Sequence, residues 1–216
     1  MRSEPATADS LDFAGLIRAG DVVVCGQATA EPRTLTEALV AQKDRLPPFT
    51  VVVGPVFSDT FAPERSGGIA FRSYGVIGNT RALAGTRQFD VIPSNYSAFC
   101  ADFANGRHRA DVVLVQLAQD ENGRLSASLS NDYVMDAARR ARVVIAEINP
   151  DAPWTFGAEW PADIVPHWRV AATRPPLELP AAKPDDVSRR IAQHAAGLIA
   201  DGSTLQFGIG KIPDAI

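Results

Sequence analysis

The residue types best suited to chemistry lie in a glycine-rich turn late in the 216-residue sequence, Gly208-Ile209-Gly210-Lys211-Ile212-Pro213. The apolar run Thr204–Phe207 before it reads as a strand. A strand, a Gly-x-Gly turn and a helix start form the arrangement by which α/β proteins hold anionic groups. Backbone N–H groups face the ligand, and the glycines let it come close. The turn is not the dinucleotide fingerprint, because Pro213 stands where the third glycine would be. It is not a P-loop either, because Ile212 follows Gly210-Lys211 where a Ser or Thr is needed. A ligand loop and a plain tight turn both fit the pattern. A second turn, Gly26-Gln27-Ala28-Thr29-Ala30-Glu31-Pro32, also follows an apolar run. Its small residues would let a ligand approach the backbone, and a structural strand-to-helix loop is the equal alternative.

Other chemistry-bearing side chains are sparser. Glu147 ends the run VVIAEI, and open α/β sheets place their sites at strand carboxyl ends. Such a carboxylate can serve as nucleophile or base, but more often it anchors a loop by accepting N–H bonds. Glu31 sits on the turn after the first strand and Glu37 follows it, where Glu37 is expected on a solvated helix face. His108, His167 and His194 show no metal-ligand spacing. Ser94, Tyr96 and Ser97 follow a strand end and either donate to a carboxylate ligand or cap the next helix. A GxSxG elbow is absent. Trp154, Trp160 and Trp168 lie in a Pro-rich stretch with few basic residues, which fits packing better than base stacking.

The elements that must position these groups are legible from hydrophobic runs. Asp21–Cys25, Thr50–Val56, Phe89–Ile92, Asp111–Leu117 and Val143–Ile148 are Val/Ile-rich and nearly continuous, as parallel strands covered on both faces are. Thr34–Arg45, Ser97–Asn105 and Asp132–Arg142 read as helices between them. Alternating strands and helices predict an α/β domain with an open, mostly parallel sheet and flanking helices. Glu121-Asn122-Gly123 reads as a turn, and Leu125–Ser130 as a short edge strand. Thr173–Pro184 carries four prolines and predicts an extended linker. Asp185 and Asp186 suit a helix start. Val187, Ile191, Leu198 and Ile199 would line one face of that helix, with Gly202 ending it.

An internal repeat organises the whole. Ala14–Gly26 (AGLIRAGDVVVCG) and Ala196–Gly208 (AGLIADGSTLQFG) align without gaps and agree at six of thirteen positions. Each reads as a helix end, a Gly, a strand and a Gly. A repeated supersecondary unit predicts that residues 1–184 form one α/β domain and residues 185–216 begin a second, truncated one. Chance reuse of a common α/β phrase is the alternative.

Composition sets the outer bounds. A hydrophobic fraction of 46% with 21% charged residues is ordinary for a globular chain. A net charge of -4 gives no reason to expect nucleic acid or an anionic membrane as partner. No apolar run reaches the roughly 18 residues of a membrane span, and MRSEPATADS has no apolar signal core. Cys25 and Cys100 cannot build a disulfide framework, so a reducing cytoplasm is expected.

The phrase IADGSTLQFGIGKIPDAI closely resembles a segment of the acetyl-CoA hydrolase/transferase family, which includes 4-hydroxybutyrate and acetate/succinate CoA-transferases. GQATAEPRTLTEAL, DVVLVQLAQDENG, VVIAEINPDAPWTFG and PPLELP extend the resemblance along most of the chain. It implies a class I CoA-transferase fold, two similar open α/β domains with the active site between them. It also implies acyl-CoA and a small carboxylate as substrates, with no metal. The reaction implied is covalent: a glutamate attacks the thioester, an acyl-glutamyl anhydride forms, and returning CoA gives a glutamyl-CoA thioester. By resemblance, Gly208, Gly210, Lys211, Ile212 and Pro213 contact CoA. Gln27, Ala28, Thr29 and Glu31 line the acyl pocket. The family's catalytic glutamate lies downstream of the GIG-IP loop, so no glutamate of this sequence matches it. The resemblance thus implies that this chain alone is inactive and needs its second domain, in cis or in trans. At LSASLS the family more often has a glycine between the serines, which leaves the acyl group open. A non-catalytic binding or assembly module is the competing function. A sugar-phosphate isomerase on a related fold would need a Lys/Arg cluster at the strand ends, which the sequence lacks. An exposed apolar face on the first domain would favour self-association, including a homo-oligomer.

Overall fold

In the computed structural model, residues 5–179, 183–208 and 210–216 are described. They fall into two compact units, Met1–Leu177 and Glu178–Ile216. Pro180 of the PPLELP segment and Ile209 of the glycine-rich turn lie outside the described residues.

The first unit is built on an eight-stranded sheet. Its strands are β1 (Val22–Cys25), β2 (Thr50–Val52), β3 (Ala70–Ser73), β4 (Phe89–Val91), β5 (Val112–Gln119), β6 (Leu125–Ser126), β7 (Val143–Ile148) and β8 (Trp168–Ala171). The order is β4-β3-β2-β1-β5-β7-β8, all parallel, with β6 added antiparallel to the end of β5. The order reverses direction between β1 and β5, and such a point opens a crevice at the strand carboxyl ends. This is the open, mostly parallel sheet that the hydrophobic runs predict.

Side chains of alternate parity build two cores. On one face Val23, Cys25, Val51, Val53, Phe71, Leu114 and Ile145 pack with Leu35, Leu39 and Val40 of α1 (Arg33–Gln42). Phe13 and Ile17, from the segment before β1, join them, as does Leu83 of a short helix, α3 (Thr80–Ala84); α2 (Pro63–Ser66) is shorter still. On the other face Val24, Val113, Val115, Val144 and Ala146 pack against Phe99 and Phe103 of α4 (Tyr96–Ala104) and Tyr133, Val134 and Ala137 of α5 (Tyr133–Arg140). Both faces of β5 and β7 are therefore buried, and this is why those strands read as unbroken apolar runs. Polar caps fix the helix starts: the Asn95 carboxamide oxygen accepts from the Ala98 N–H at 2.9 Å, and an Asp132 oxygen accepts from the Val134 N–H at 2.9 Å.

Several boundaries differ from the sequence reading. The strand expected over Thr50–Val56 stops at Val52, and the one expected over Leu125–Ser130 covers only two residues. Ser128, in the left-handed region at φ 55°, turns the chain out of the β6 ladder.

In the second unit α6 spans Asp186–Ala196, and an Asp185 oxygen accepts from the Ser188 N–H at 2.8 Å as its cap. The helix ends at Gly197, earlier than the expected Gly202, so Leu198 and Ile199 lie beyond it and share no helical face with Val187 and Ile191. Val187 and Ile191 are exposed. The strand expected over Thr204–Phe207 is not formed: these residues adopt no regular structure, and Leu205 and Phe207 are exposed. No strand lies beside them among the described residues of this unit, and a lone strand has nothing to satisfy its backbone.

Candidate functional site

The loop after β1 sits at the switch point, beside the carboxyl ends of β2, β3, β5 and β7. Its first side chain, Gln27, is buried and committed on both sides of its carboxamide. The oxygen accepts from the Tyr74 hydroxyl at 2.8 Å. The nitrogen donates to an Asp132 oxygen at 2.9 Å and to the Tyr96 hydroxyl at 3.1 Å. Room for this side chain exists because residue 54 is glycine: a Cβ there would lie 1.8 Å from the Gln27 oxygen. Asp132 also accepts from the Ser130 hydroxyl. Burial raises the Asp132 carboxyl above the usual range, and the donors from Ser130, Val134 and Gln27 only partly offset it. Burial, reinforced by the Asp132 charge, pushes the Tyr74 hydroxyl up to about 12 and raises Tyr96 in the same way.

Ala28 takes the left-handed conformation at φ 54°, and its N–H donates to the Pro55 carbonyl at 2.8 Å. That is a costly backbone for an alanine, held by the surrounding loop. Thr29 contributes its carbonyl, which accepts from the Gln116 amide at 3.4 Å. Gln116 in turn accepts from Asn149 at 2.8 Å, tying the β1, β5 and β7 ends together.

Glu31 is 2% exposed. One oxygen accepts from the Thr36 hydroxyl at 2.9 Å, while Oε2 has no hydrogen-bond partner. Burial raises this carboxyl, against the opposing influence of the nearby Ser58, Thr36 and Thr60 hydroxyls and Arg33. Glu147, equally buried, accepts from the N–H groups of Thr34 at 2.9 Å and Leu35 at 3.3 Å. It caps α1 from another strand, because Pro32 at the cap position has no hydrogen-bonding side chain. Burial pushes Glu147 up to about 7; the Leu35 and Thr34 donors pull the other way, and Glu31 adds to the rise. Of the two roles open to Glu147 in the sequence, anchoring is the one its contacts display.

Gln27, Ala28, Thr29 and Glu31 are therefore gathered in one loop, but two of the four have side chains turned into the protein. Ser94 and Ser97 do not cap α4. Asn95 does, and Ser97 donates to it at 2.9 Å. The partners that hold the loop, Tyr74, Asp132, Gly54 and Asn149, carry no local pattern that singles them out.

In the second unit, Gly208 and Lys211 are exposed and Gly210 has φ 145°. Pro213–Ala215 form a single 3-10 turn, with Ile212 exposed at its cap. The Lys211 ammonium lies 3.6 Å from an Asp185 oxygen, both half-exposed. Chain neighbours aside, no described atom lies within 4 Å of where a Cβ would be at Gly208 or Gly210, so the space beside these two glycines is open.

Among the described residues no three His, Cys, Asp or Glu side chains gather to hold a metal, and no helix is long and apolar enough to cross a membrane.

Residues 7–167 match the family described as acetyl-CoA hydrolase/transferase N-terminal domain. The chain is 35% identical to 4-hydroxybutyrate coenzyme A transferase of Clostridium kluyveri over 90% of its own length and 46% of that protein. It is 26% identical to succinyl-CoA:cyclohexane-1-carboxylate CoA transferase of Geobacter metallireducens, covering 47% of that protein. Among solved structures, 4-hydroxybutyrate CoA-transferase of Porphyromonas gingivalis matches with a TM-score of 0.72 and 27% identity, over 97% of this chain and 49% of that one. RipA from Yersinia pestis shares the fold at a TM-score of 0.83 and 24% identity, over 96% of this chain and 51% of that one. The chain spans about half the length of the curated relatives it matches.

Proposed function

This chain belongs to the acetyl-CoA hydrolase/transferase family, and from that premise we propose that it is the N-terminal part of an acyl-CoA:carboxylate CoA-transferase or acyl-CoA hydrolase. The observation that carries the reading is the 35% identity to a 4-hydroxybutyrate CoA-transferase, spread over 90% of the chain.

In this reading residues 185–216 open a second α/β domain that supplies the nucleophile. A glutamate outside residues 1–216 attacks the acyl-CoA carbonyl, expelling CoA thiolate and forming an acyl-glutamyl anhydride. The thiolate then attacks the glutamyl carbonyl, releasing the acyl carboxylate and leaving a glutamyl-CoA thioester. An acceptor carboxylate, or water in a hydrolase, discharges the thioester. Gly208, Gly210, Lys211, Ile212 and Pro213 contact CoA, where open backbone and a cationic side chain suit its phosphates. The loop Gln27–Glu31 forms a wall of the acyl pocket. Because the Gln27 carboxamide is already committed, its contribution there is shape and rigidity. Glu147 is occupied in capping α1 and Glu31 is buried at 2% exposure, which supports a nucleophile from elsewhere. The setting is cytoplasmic.

The reading is tested by incubating residues 1–216 with acetyl-CoA and 4-hydroxybutyrate, alone and together with the C-terminal half of a relative. The expected outcome is no CoA exchange alone. With the second half present, exchange appears and a CoA-sized, hydroxylamine-sensitive adduct forms on a glutamate of that half. Exchange by residues 1–216 alone, with the adduct on one of their own glutamates, overturns it. CoA binding without exchange in the combined sample favours a non-catalytic binding module.

A further inference from the structure

On one face of the sheet a groove runs from the amino ends of β1 and β2, past Arg72 of β3, to Ile92 just after β4. We propose that this groove is a binding site for a small organic phosphate, one that joins a flat apolar body to a phosphate group. It lies on the sheet face shared by Val24 and Val52. There α4 and α5 cover the central strands, but Ala70, Arg72 and Asp90 of β3 and β4 are exposed. Parallel strands normally have both faces covered, so an open patch on such a sheet is a vacancy of some size. Its volume is about 320 Å³, at the small end of ligand pockets.

The lining has two characters. Its apolar side is made by the half-buried Val22 and Ile92, with the buried Val52 and Phe103 beneath them. Around it stand Arg72 from β3 and Arg107, His108 and Arg109 from the segment between α4 and β5. The three guanidinium groups are not equivalent. Arg109 donates to both Asp111 oxygens at 2.9 and 3.0 Å and to the Gly20 carbonyl at 3.4 Å, so its fork is occupied. Arg107 makes one contact, to Asp102 at 3.3 Å, with a side chain 77% exposed. The Arg72 side chain makes no hydrogen bond or ion pair among the described residues, although Asp90 stands in register beside it. His108 packs against Phe99 and Phe103, and its Nε2 is buried without a hydrogen-bond partner, 3.8 Å from Asp102.

These features select a ligand class. A free Arg fork binds phosphate in bidentate fashion, and engaging Arg72 breaks no existing pair. Arg107 can turn toward the same anion at the cost of one exposed contact, which is worth little. Inorganic phosphate alone leaves the exposed parts of Val22 and Ile92 in water, whereas an aromatic ester also covers them and buries its own ring.

The proposal is independent of the CoA reading, and the test separates them. The 216-residue chain is titrated calorimetrically at low ionic strength with phenyl phosphate, inorganic phosphate and benzyl alcohol. Phenyl phosphate is expected to bind at least roughly tenfold more tightly than either half-ligand. Arg72→Met and Arg107→Met keep the apolar stems of two exposed side chains, and each is expected to weaken binding roughly tenfold. Lys211→Met is expected to leave it unchanged. Absence of phenyl phosphate binding overturns the proposal. So does wild-type affinity in both arginine variants, or a loss confined to Lys211→Met, which would place the anion at the glycine-rich turn.

Discussion

The two copies of the repeated phrase, Ala14–Gly26 and Ala196–Gly208, begin alike and end differently. In the first, the Leu16 N–H donates to the Phe13 carbonyl at 3.0 Å and the Asp21 N–H to the Arg18 carbonyl at 3.1 Å. In the second, the equivalent bonds run from Leu198 to Ala195 at 3.0 Å and from Ser203 to Ala200 at 3.2 Å. Gly20 and Gly202, at matching positions, have φ 78° and 79°. Past the glycine the copies diverge. Val22–Cys25 becomes β1, hydrogen-bonded to β2 on one side and β5 on the other. Thr204–Phe207 forms no strand. The turn is a local structure and follows the local sequence. The strand segments DVVVC and STLQF share no residue, and of the two only Val22–Cys25 is Val-rich and has strands on both sides to pair with.

The largest expected effect is in amide exchange. The Val23 and Val24 amides should be protected by about 10⁴-fold or more, and those of Leu205, Gln206 and Phe207 by less than about tenfold. Adding the C-terminal half of a relative should raise the second set by orders of magnitude. If it does not, the two copies are not equivalent strands and the repeat is fortuitous. Next in size, Val23→Ala should cost about 2–3 kcal/mol in urea unfolding, because the side chain is fully buried, whereas Leu205→Ala should fall within about 0.5 kcal/mol of wild type.

The loop that follows each copy sharpens the contrast through pH. Glu147, which caps the helix after the first loop, is raised to about 7 in the folded protein from an ordinary value of 4.5. An acid with a raised folded value stabilises fully below its unfolded value and loses that contribution as pH climbs through the folded value. The stability of Glu147→Gln relative to wild type should therefore rise by about 2–3 kcal/mol between pH 4.5 and pH 8. A flat difference across that range would mean that Glu147 is solvated. The smallest effect concerns the shared turn. Gly20→Ala and Gly202→Ala should each cost about 1 kcal/mol from backbone strain alone, since an added Cβ meets nothing within 4 Å at either site. Urea unfolding reports the first, and exchange of the Ser203 amide the second.

The sequence revealed those parts of the fold that carry a strong local signal. β1, β5 and β7 are continuous Val/Ile runs because both their faces are buried. α1, α4 and α5 sit where the intervening segments place them. β3 and β8 escaped notice for the converse reason. AFRS alternates buried and exposed residues beside the sheet's edge, and in WRVA only Val170 is buried. Neither is long enough to show a period. The short helices α2 and α3 carry too few turns to register one. At the candidate site, the small residues after β1 marked the loop. The side chains that fix it could not be found in the same way, because Gln27 meets Tyr74, Tyr96 and Asp132 from 47, 69 and 105 residues away. The start of the late helix was placed correctly, but its end and its apolar face were not, because Gly197 stops the helix before Leu198 can join it.

The Glu147 cap on α1 has a consequence for how this sequence can drift. A Ser or Asp at position 32 would cap the helix locally and release Glu147 from its duty, while Pro32 makes that duty obligatory. Positions 32 and 147 therefore form one heritable unit across 115 residues. In an alignment of relatives, a proline at the first position should travel with an acidic residue at the second, and each should be free to vary only after the other has changed.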